Sequence, residues 1–233
     1  MTGTLHGLGV GPGDPELLTL KALRILQAVP VIAYPVLGKT PSFAREIVAG
    51  HLSGRQREIA MEVPLGGHHR TGAAYDAAAA RVAEALGAGD DVAVLCEGDP
   101  MLYGSFIYIR ARLIDRFECE IIPGVSSLTA APARLGHPIA AGDDCVAILP
   151  ATLPDDVLAR RLADADSAVI MKLGRHLPRI RALLGRLGLA GRADYIERAT
   201  LPGERAMPLT DLADDPAPYF SMILVRPAAG DRR

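Results

Sequence analysis

Leu5-His6-Gly7-Leu8-Gly9-Val10-Gly11-Pro12-Gly13-Asp14-Pro15 carries an apolar run into four glycines spaced by two and stops at an Asp-Pro pair. A segment of helical period, Leu17-Leu18-Thr19-Leu20-Lys21-Ala22-Leu23, follows at once. The order reads as strand, tight loop and helix start, with Asp14 as N-cap and Pro15 at the first helical position. Glycine in such a loop permits positive φ and lets another molecule approach bare backbone. The dinucleotide fingerprint G-x-G-x-x-G does not fit. From Gly7 and Gly9 its last position is Pro12, and from Gly9 and Gly11 it is Asp14. A ligand loop and a tight turn without a ligand are equal readings of this stretch alone.

Outward from that loop, short apolar runs alternate with helix-period segments. Strands are expected over 31–34, 57–61, 91–96 and 120–122, and helices over 42–52, 75–86, 106–114 and 126–135. Strands alternating with helices make βαβ units and a parallel sheet. After the Pro123-Gly124 break, further strands are expected over 145–149 and 168–172, with helices over 155–163 and 177–187. The strand-like runs 195–197, 204–208 and 219–225 have little helix between them, so they are best joined antiparallel. The reading is two α/β domains, 1–123 with a parallel sheet and 124–233 with a mixed sheet. Such proteins bind ligands at the carboxyl ends of parallel strands and in clefts between domains. The last residues, Gly230-Asp231-Arg232-Arg233, read as a frayed tail.

The 233 residues suffice for a real core, which must be aliphatic because Trp is absent and aromatics make up only 4%. A net charge of −2 argues against a nucleic-acid partner, and no apolar run has the length of a membrane span. Three scattered cysteines, Cys96, Cys119 and Cys145, without a signal peptide point to free thiols in a reducing cytoplasm. The histidines are dispersed, and the His68-His69 pair would face opposite ways on an extended chain, so no metal site is expected.

Four further segments carry chemistry. Leu95-Cys96-Glu97-Gly98-Asp99-Pro100-Met101-Leu102-Tyr103-Gly104-Ser105 brings a strand into an acidic Gly/Pro loop, where a carboxylate can accept from ribose hydroxyls or an amino group. Against this, Asp99 suits a simple turn before Pro100. Pro123-Gly124-Val125-Ser126-Ser127 offers hydroxyls at a helix start, as an ordinary cap would, and it lacks the G-x-S-x-G elbow of serine hydrolases. Lys172 ends an apolar run before Gly174. Most such lysines snorkel to water, but the carboxyl end of a strand is also a cleft position. Arg45, Arg55, Arg57, Arg70, Arg110, Arg112 and Arg134 are mostly surface charges, of which a few could grip carboxylates.

Together and in this order the segments resemble the tetrapyrrole (class III) S-adenosylmethionine methyltransferases of cobalamin and sirohaem biosynthesis. The family's G-x-G-P-G-D-x-x-L-L-T is met by Gly9, Gly11, Pro12, Gly13, Asp14, Leu17, Leu18 and Thr19. Its G-D-P loop is met by Gly98-Asp99-Pro100, and its P-G-V/I-S/T-S/A helix start by residues 123–127. Glu97, Tyr103-Gly104-Ser105-Phe106, Ser126-Ser127-Leu128 and 170–176 are similar to the precorrin-2 C20-methyltransferase branch. Met101-Leu102 departs from it, aromatic residues being expected there.

The resemblance implies S-adenosylmethionine as methyl donor in an interdomain cleft, with Pro12, Gly98, Asp99, Leu102, Ser126, Ser127, Lys172 and Ala199 at its contact positions. It implies a tetrapyrrole in a first-domain trough, a homodimer, and methylation of precorrin-2 at C20. Arg45, Arg55, Arg110 and Arg112, with Tyr34 and Tyr103, are the candidate substrate contacts. Glu97 and Tyr103 are the candidates to receive the meso proton. An activated sulfonium methyl needs no protein nucleophile, which accords with the missing nucleophile–base constellation. Other readings are a cobalt-factor II C20-methyltransferase, a sirohaem-type uroporphyrinogen-III C-methyltransferase, a diphthine synthase of the same superfamily, and a non-catalytic S-adenosylmethionine-binding module.

Overall fold

A computed structural model describes residues 1–38, 40–63, 72–213 and 217–227. The His68-His69 pair, Arg70 and the tail 230–233 lie outside the described residues. The chain divides into two compact units, Met1–Ser126 and Ser127–Arg233.

The first unit holds β1 (Leu5–Gly9), α1 (Leu20–Ala28), β2 (Val31–Val36), α2 (Phe43–Ile47), β3 (Arg57–Glu62), α3 (Gly72–Gly87), β4 (Val92–Cys96), α4 (Phe106–Leu113) and β5 (Cys119–Ile122). Its sheet runs β3-β2-β4-β1-β5, and every pairing is parallel. On one face Leu8, Ala93 and Leu95 pack with Ala22, Leu26, Ala44 and Ile47 of α1 and α2. On the other, Val92, Val94 and Cys96 pack with Tyr75, Val82, Phe106 and Ile109 of α3 and α4. The strand alternation of β4 sends successive side chains to opposite faces, and both faces are covered, so the strand reads as a continuous apolar run. Each fully buried Leu, Ile or Phe side chain contributes roughly 1.5–3 kcal/mol.

The second unit holds α5 (Ser127–Leu135), β6 (Val146–Pro150), α6 (Asp155–Ala163), β7 (Ser167–Met171), α7 (Leu177–Arg186), β8 (Ala193–Glu197), β9 (Arg205–Pro208) and β10 (Ser221–Val225). The sheet order is β6-β7-β10-β8-β9. Only the pair joined through α6 is parallel, and the other three pairings are antiparallel. Leu158, Leu162, Ile180 and Leu184 of α6 and α7 cover Ile170, Ile223 and Tyr195. An all-parallel sheet followed by a mixed one is the architecture the sequence led us to expect. No helix among the described residues is long and apolar enough to cross a membrane.

Three local expectations are corrected. Asp14 caps a single 3-10 turn, Pro15–Leu17, by accepting the Glu16 N–H at 2.9 Å. The α-helix starts only at Leu20, where Thr19 Oγ1 accepts the Ala22 N–H at 3.2 Å. Leu18 is extended between them (ψ 134°), so two capping residues close together give two short starts. The helix expected over 42–52 divides after α2 into a separate turn, Ala49–His51; β-branched Val48 and Gly50 are weak helix formers. Lys172 lies beyond β7, with left-handed φ of 59°.

Candidate functional site

The chain leaves β1 for α1 on one face of the first sheet and leaves β4 for α4 on the other. β1 and β4 are neighbours, so their carboxyl ends form a topological switch point, the ligand position of open α/β sheets. There the loops after both strands join: Gly98 N–H donates to the Gly11 carbonyl at 2.7 Å, and Gly11 N–H to the Gly98 carbonyl at 3.4 Å. The loop after β5 packs onto the same place. A β-carbon on Gly124 would lie 2.0 Å from the Gly98 carbonyl oxygen and 2.8 Å from Gly9 Cα. One on Gly7 would lie 2.4 Å from the Phe106 ring. Gly7, Gly9 and Gly124 are therefore required by packing. Gly11 and Gly98, at φ of 82° and 66°, are required by left-handed backbone.

Asp99 ties these loops together. One carboxylate oxygen accepts the Met101 N–H at 2.8 Å, closing its own turn, and the other accepts the Gly124 N–H at 3.1 Å. The turn reading of Asp99 is seen directly, and the same carboxylate also ties the loop after β5 to it. Glu97 follows β4 and is half-buried. Burial pushes its carboxyl above the usual carboxylate range, against the pull of its own and Ala44's backbone N–H. Pro12 and Gly98 are buried, Leu102 is half-buried, and Tyr103 is exposed with φ of 57°.

Left-handed backbone outside glycine is confined to a few loop positions. Among the described residues they are Tyr103, Lys172, Arg198 and Thr200. Tyr103 lies in the loop after β4. The other three follow β7 and β8, which are parallel to each other, each pairing with β10. Met171 and Ile196 both lie opposite Met222, so Lys172 and Ala199 sit at one edge of the second sheet. Strain of this kind gathers where backbone meets ligands. Ser127 opens α5, and Ser126 immediately precedes it.

The arginines do not form one cluster. Arg45 on α2 grips Glu58 with two bonds of 2.7 and 2.8 Å, and Tyr34 Oη donates to the same carboxylate at 2.6 Å. That pairing holds Glu58 below its ordinary range. Arg112, on the opposite face of the sheet, binds Asp76 at 2.6 Å and the Tyr108 and Gly72 carbonyls at 2.9 and 3.2 Å. Arg110 buries an unpaired Nε. Arg55 precedes β3 at the amino edge of the sheet, and the six residues of that strand put about 20 Å between it and the carboxyl edge. Sequence reading passed over Glu58 and Glu204, and took Gly124 only as part of a break and a helix start. The first two are ordinary acids whose importance comes from a distant partner; Gly124 carried a signal, as one glycine among three loops that had to converge.

These features define a doubly wound parallel unit with an acid-bearing, glycine-built candidate site at its switch point, followed by a mixed-sheet unit. The chain matches Tetrapyrrole (Corrin/Porphyrin) Methylases over residues 4–213 and belongs to that family. It is 42% identical to a Sinorhizobium precorrin-2 C(20)-methyltransferase, over 96% of this chain and 95% of the relative. It is 37% identical to the Salmonella typhimurium cobalt-precorrin-2 C(20)-methyltransferase, over 97% of each. The Mycobacterium bovis cobalamin biosynthesis protein CobIJ is 43% identical over 96% of this chain, which spans only 46% of that longer relative. Among solved structures, the Thermus thermophilus uroporphyrin-III C-methyl transferase complexed with S-adenyl homocysteine is 27% identical with a TM-score of 0.69, covering 95% of this chain and 97% of that one. The cobalt precorrin-4 methyltransferase CbiF shares the fold, at 22% identity and a TM-score of 0.74 over 96% of this chain and 94% of its own.

Proposed function

We propose that the chain methylates precorrin-2 at C20, with S-adenosylmethionine as donor, in cobalamin biosynthesis. Near-complete two-way coverage at 42% identity to a precorrin-2 C(20)-methyltransferase supports the substrate. The observation that carries the cofactor is the character of the switch point. The loops 9–14 and 97–101 hold Asp14, Glu97 and Asp99 and no Lys or Arg. A pyrophosphate would meet like charge there, whereas a ligand carrying an ammonium and a sulfonium meets opposite charge. The residues present therefore fit S-adenosylmethionine, with Pro12, Gly98, Asp99, Leu102, Ser126, Ser127, Lys172 and Ala199 proposed to hold it.

When bound, the donor supplies a methyl already activated on a sulfonium. The protein's work is then alignment, which can supply up to roughly 7–11 kcal/mol. Asp99 fixes two loops and keeps free lone pairs for a hydroxyl or amine. A Glu97 carboxylate oxygen is the proposed acceptor of the meso proton, since a carboxyl raised by burial is a stronger base than a solvated one; Tyr103 is the alternative. Arg45 with Tyr34, which would exchange Glu58 for the ligand, and Arg110 are proposed anchors for substrate carboxylates. No metal is required by this chemistry. We further propose that it acts in the cytoplasm as a homodimer, and light scattering that reports a monomer would overturn the latter.

The test is incubation of metal-free protein with precorrin-2 or its cobalt complex and S-adenosylmethionine, with mass and NMR analysis of the product. One methyl at C20 of the metal-free ring is expected. Preference for the cobalt complex would favour the reading suggested by the Salmonella relative, and no methylated product would overturn the proposal.

A further inference from the structure

After β8 the chain makes a turn that its own sequence disfavours. Arg198 and Thr200 are both left-handed, at φ of 51° and 70°. A β-branched residue with positive φ is a genuine outlier that persists only where the surroundings hold it. The holding contacts are specific. Arg198 N–H donates to the Phe220 carbonyl at 2.8 Å, and Leu201 N–H to the Arg198 carbonyl at 2.9 Å. Thr200 N–H donates to Glu204 Oε2 at 2.7 Å. Glu204 is itself fixed from α5, where Arg134 Nε lies 2.9 Å from both of its oxygens. Its side chain is 17% exposed against 55% for Arg134. The held turn presents Ala199, half-buried, whose backbone N–H and carbonyl have no hydrogen-bond partner among the described residues. Backbone groups without a partner in the chain are met by water or by a ligand, and a strained, externally braced turn holds them in one orientation for it.

We infer that Glu204 is the positioning residue of this turn, braced by Arg134, and that the pair sets the affinity for S-adenosylmethionine without touching it. The inference rests on the proposed function, which puts the donor against Ala199. Glu204 supplies the acceptor that keeps Thr200 left-handed, and Arg134 holds that carboxylate in place.

The experiment measures S-adenosylhomocysteine affinity by calorimetry, and kinetics with both substrates, for wild type, Glu204→Ala, Glu204→Gln and Arg134→Ala. Removing a hydrogen bond to a charged group weakens an interaction by about tenfold or more. Glu204→Ala should therefore lose about that much affinity and raise KM for the donor equally, with kcat and the tetrapyrrole KM unchanged. Glu204→Gln keeps an acceptor for Thr200 and should recover most of the loss; Arg134→Ala should fall between wild type and Glu204→Ala. A merely structural pair would lower the unfolding temperature and leave affinity per folded molecule alone, and that result overturns the inference. Should Glu204→Ala not fold, wild-type affinity in Arg134→Ala overturns it equally. Failure of wild type to bind S-adenosylhomocysteine would instead strike at the proposed function.

Discussion

Asp99 has both carboxylate oxygens engaged by backbone N–H groups of two loops, so its removal acts on stability and on the site together. Asp99→Ala loses two charge-assisted bonds of about 1.5–3 kcal/mol each. Urea unfolding and calorimetry with S-adenosylhomocysteine should both register the change, and Asp99→Asn, keeping one acceptor oxygen, should be intermediate. Wild-type affinity in the folded alanine variant would leave Asp99 a turn residue alone. Glu97 works in the opposite sense. Its folded-state value is raised, so its contribution to stability is full below the ordinary carboxylate range and is lost as pH rises through the folded value. Glu97→Gln should therefore be more stable than wild type at neutral pH, with the gap closing in acid, while methyl transfer slows. Equal stability at neutral pH would contradict the burial argument. The arginines divide likewise. Arg112, bound to Asp76 and two carbonyls, should cost stability when replaced by alanine and leave the tetrapyrrole KM unchanged. Arg45→Ala should raise that KM without changing donor affinity. The reverse pattern would move the substrate to the other face of the sheet.

At the scale of elements, most of the strands and helices were legible because hydrophobic period and Gly/Pro breaks are local. Val92 to Cys96 reads as a buried strand, and residues 177–187 as a helix, from their own side chains. Helix starts were less legible. Asp14-Pro15 is a good cap signal, yet Thr19 is another close behind it, and only packing chooses between them. Thr19→Ala should cost about 1 kcal/mol of unfolding free energy, read from denaturant melts, because it caps α1. Were Asp14→Ala the costlier by loss of α1 helicity, the assignment of the cap would be reversed. Strand order was not legible, since β4 enters between β1 and β2 through contacts remote in sequence. That order decides which loops meet. It also gave the glycines their meaning: in the sequence Gly7 and Gly9 look like ligand glycines, and in the fold they make room for Phe106 and Gly124. The position of Arg55 was hidden for the same reason, since a residue that precedes a strand of a parallel sheet lies at its amino edge.

For the molecule as a whole, charge balance is local. Arg45 holds Glu58 below its ordinary range, Lys21 does so for Glu120, and Arg179 for Asp155. A lowered carboxyl contributes stability that is present above its unfolded value and lost as pH falls through the folded one. Unfolding free energy should therefore decline progressively below about pH 4.5. Added salt should diminish the effect, since these pairs are partly exposed. A profile that stays flat to about pH 3 would deny the pairs any role. The meeting of Gly9, Gly98 and Gly124 bears on how the protein is made. These backbones follow the first, fourth and fifth strands of their unit, and two of the three contacts, those made by Gly124, wait for the loop after the last strand. A chain emerging from the ribosome can complete helices and strand pairs early, but the junction of the three loops stays open until residue 124 has cleared the exit tunnel. The three-loop junction is thus among the last parts of its unit to close during synthesis.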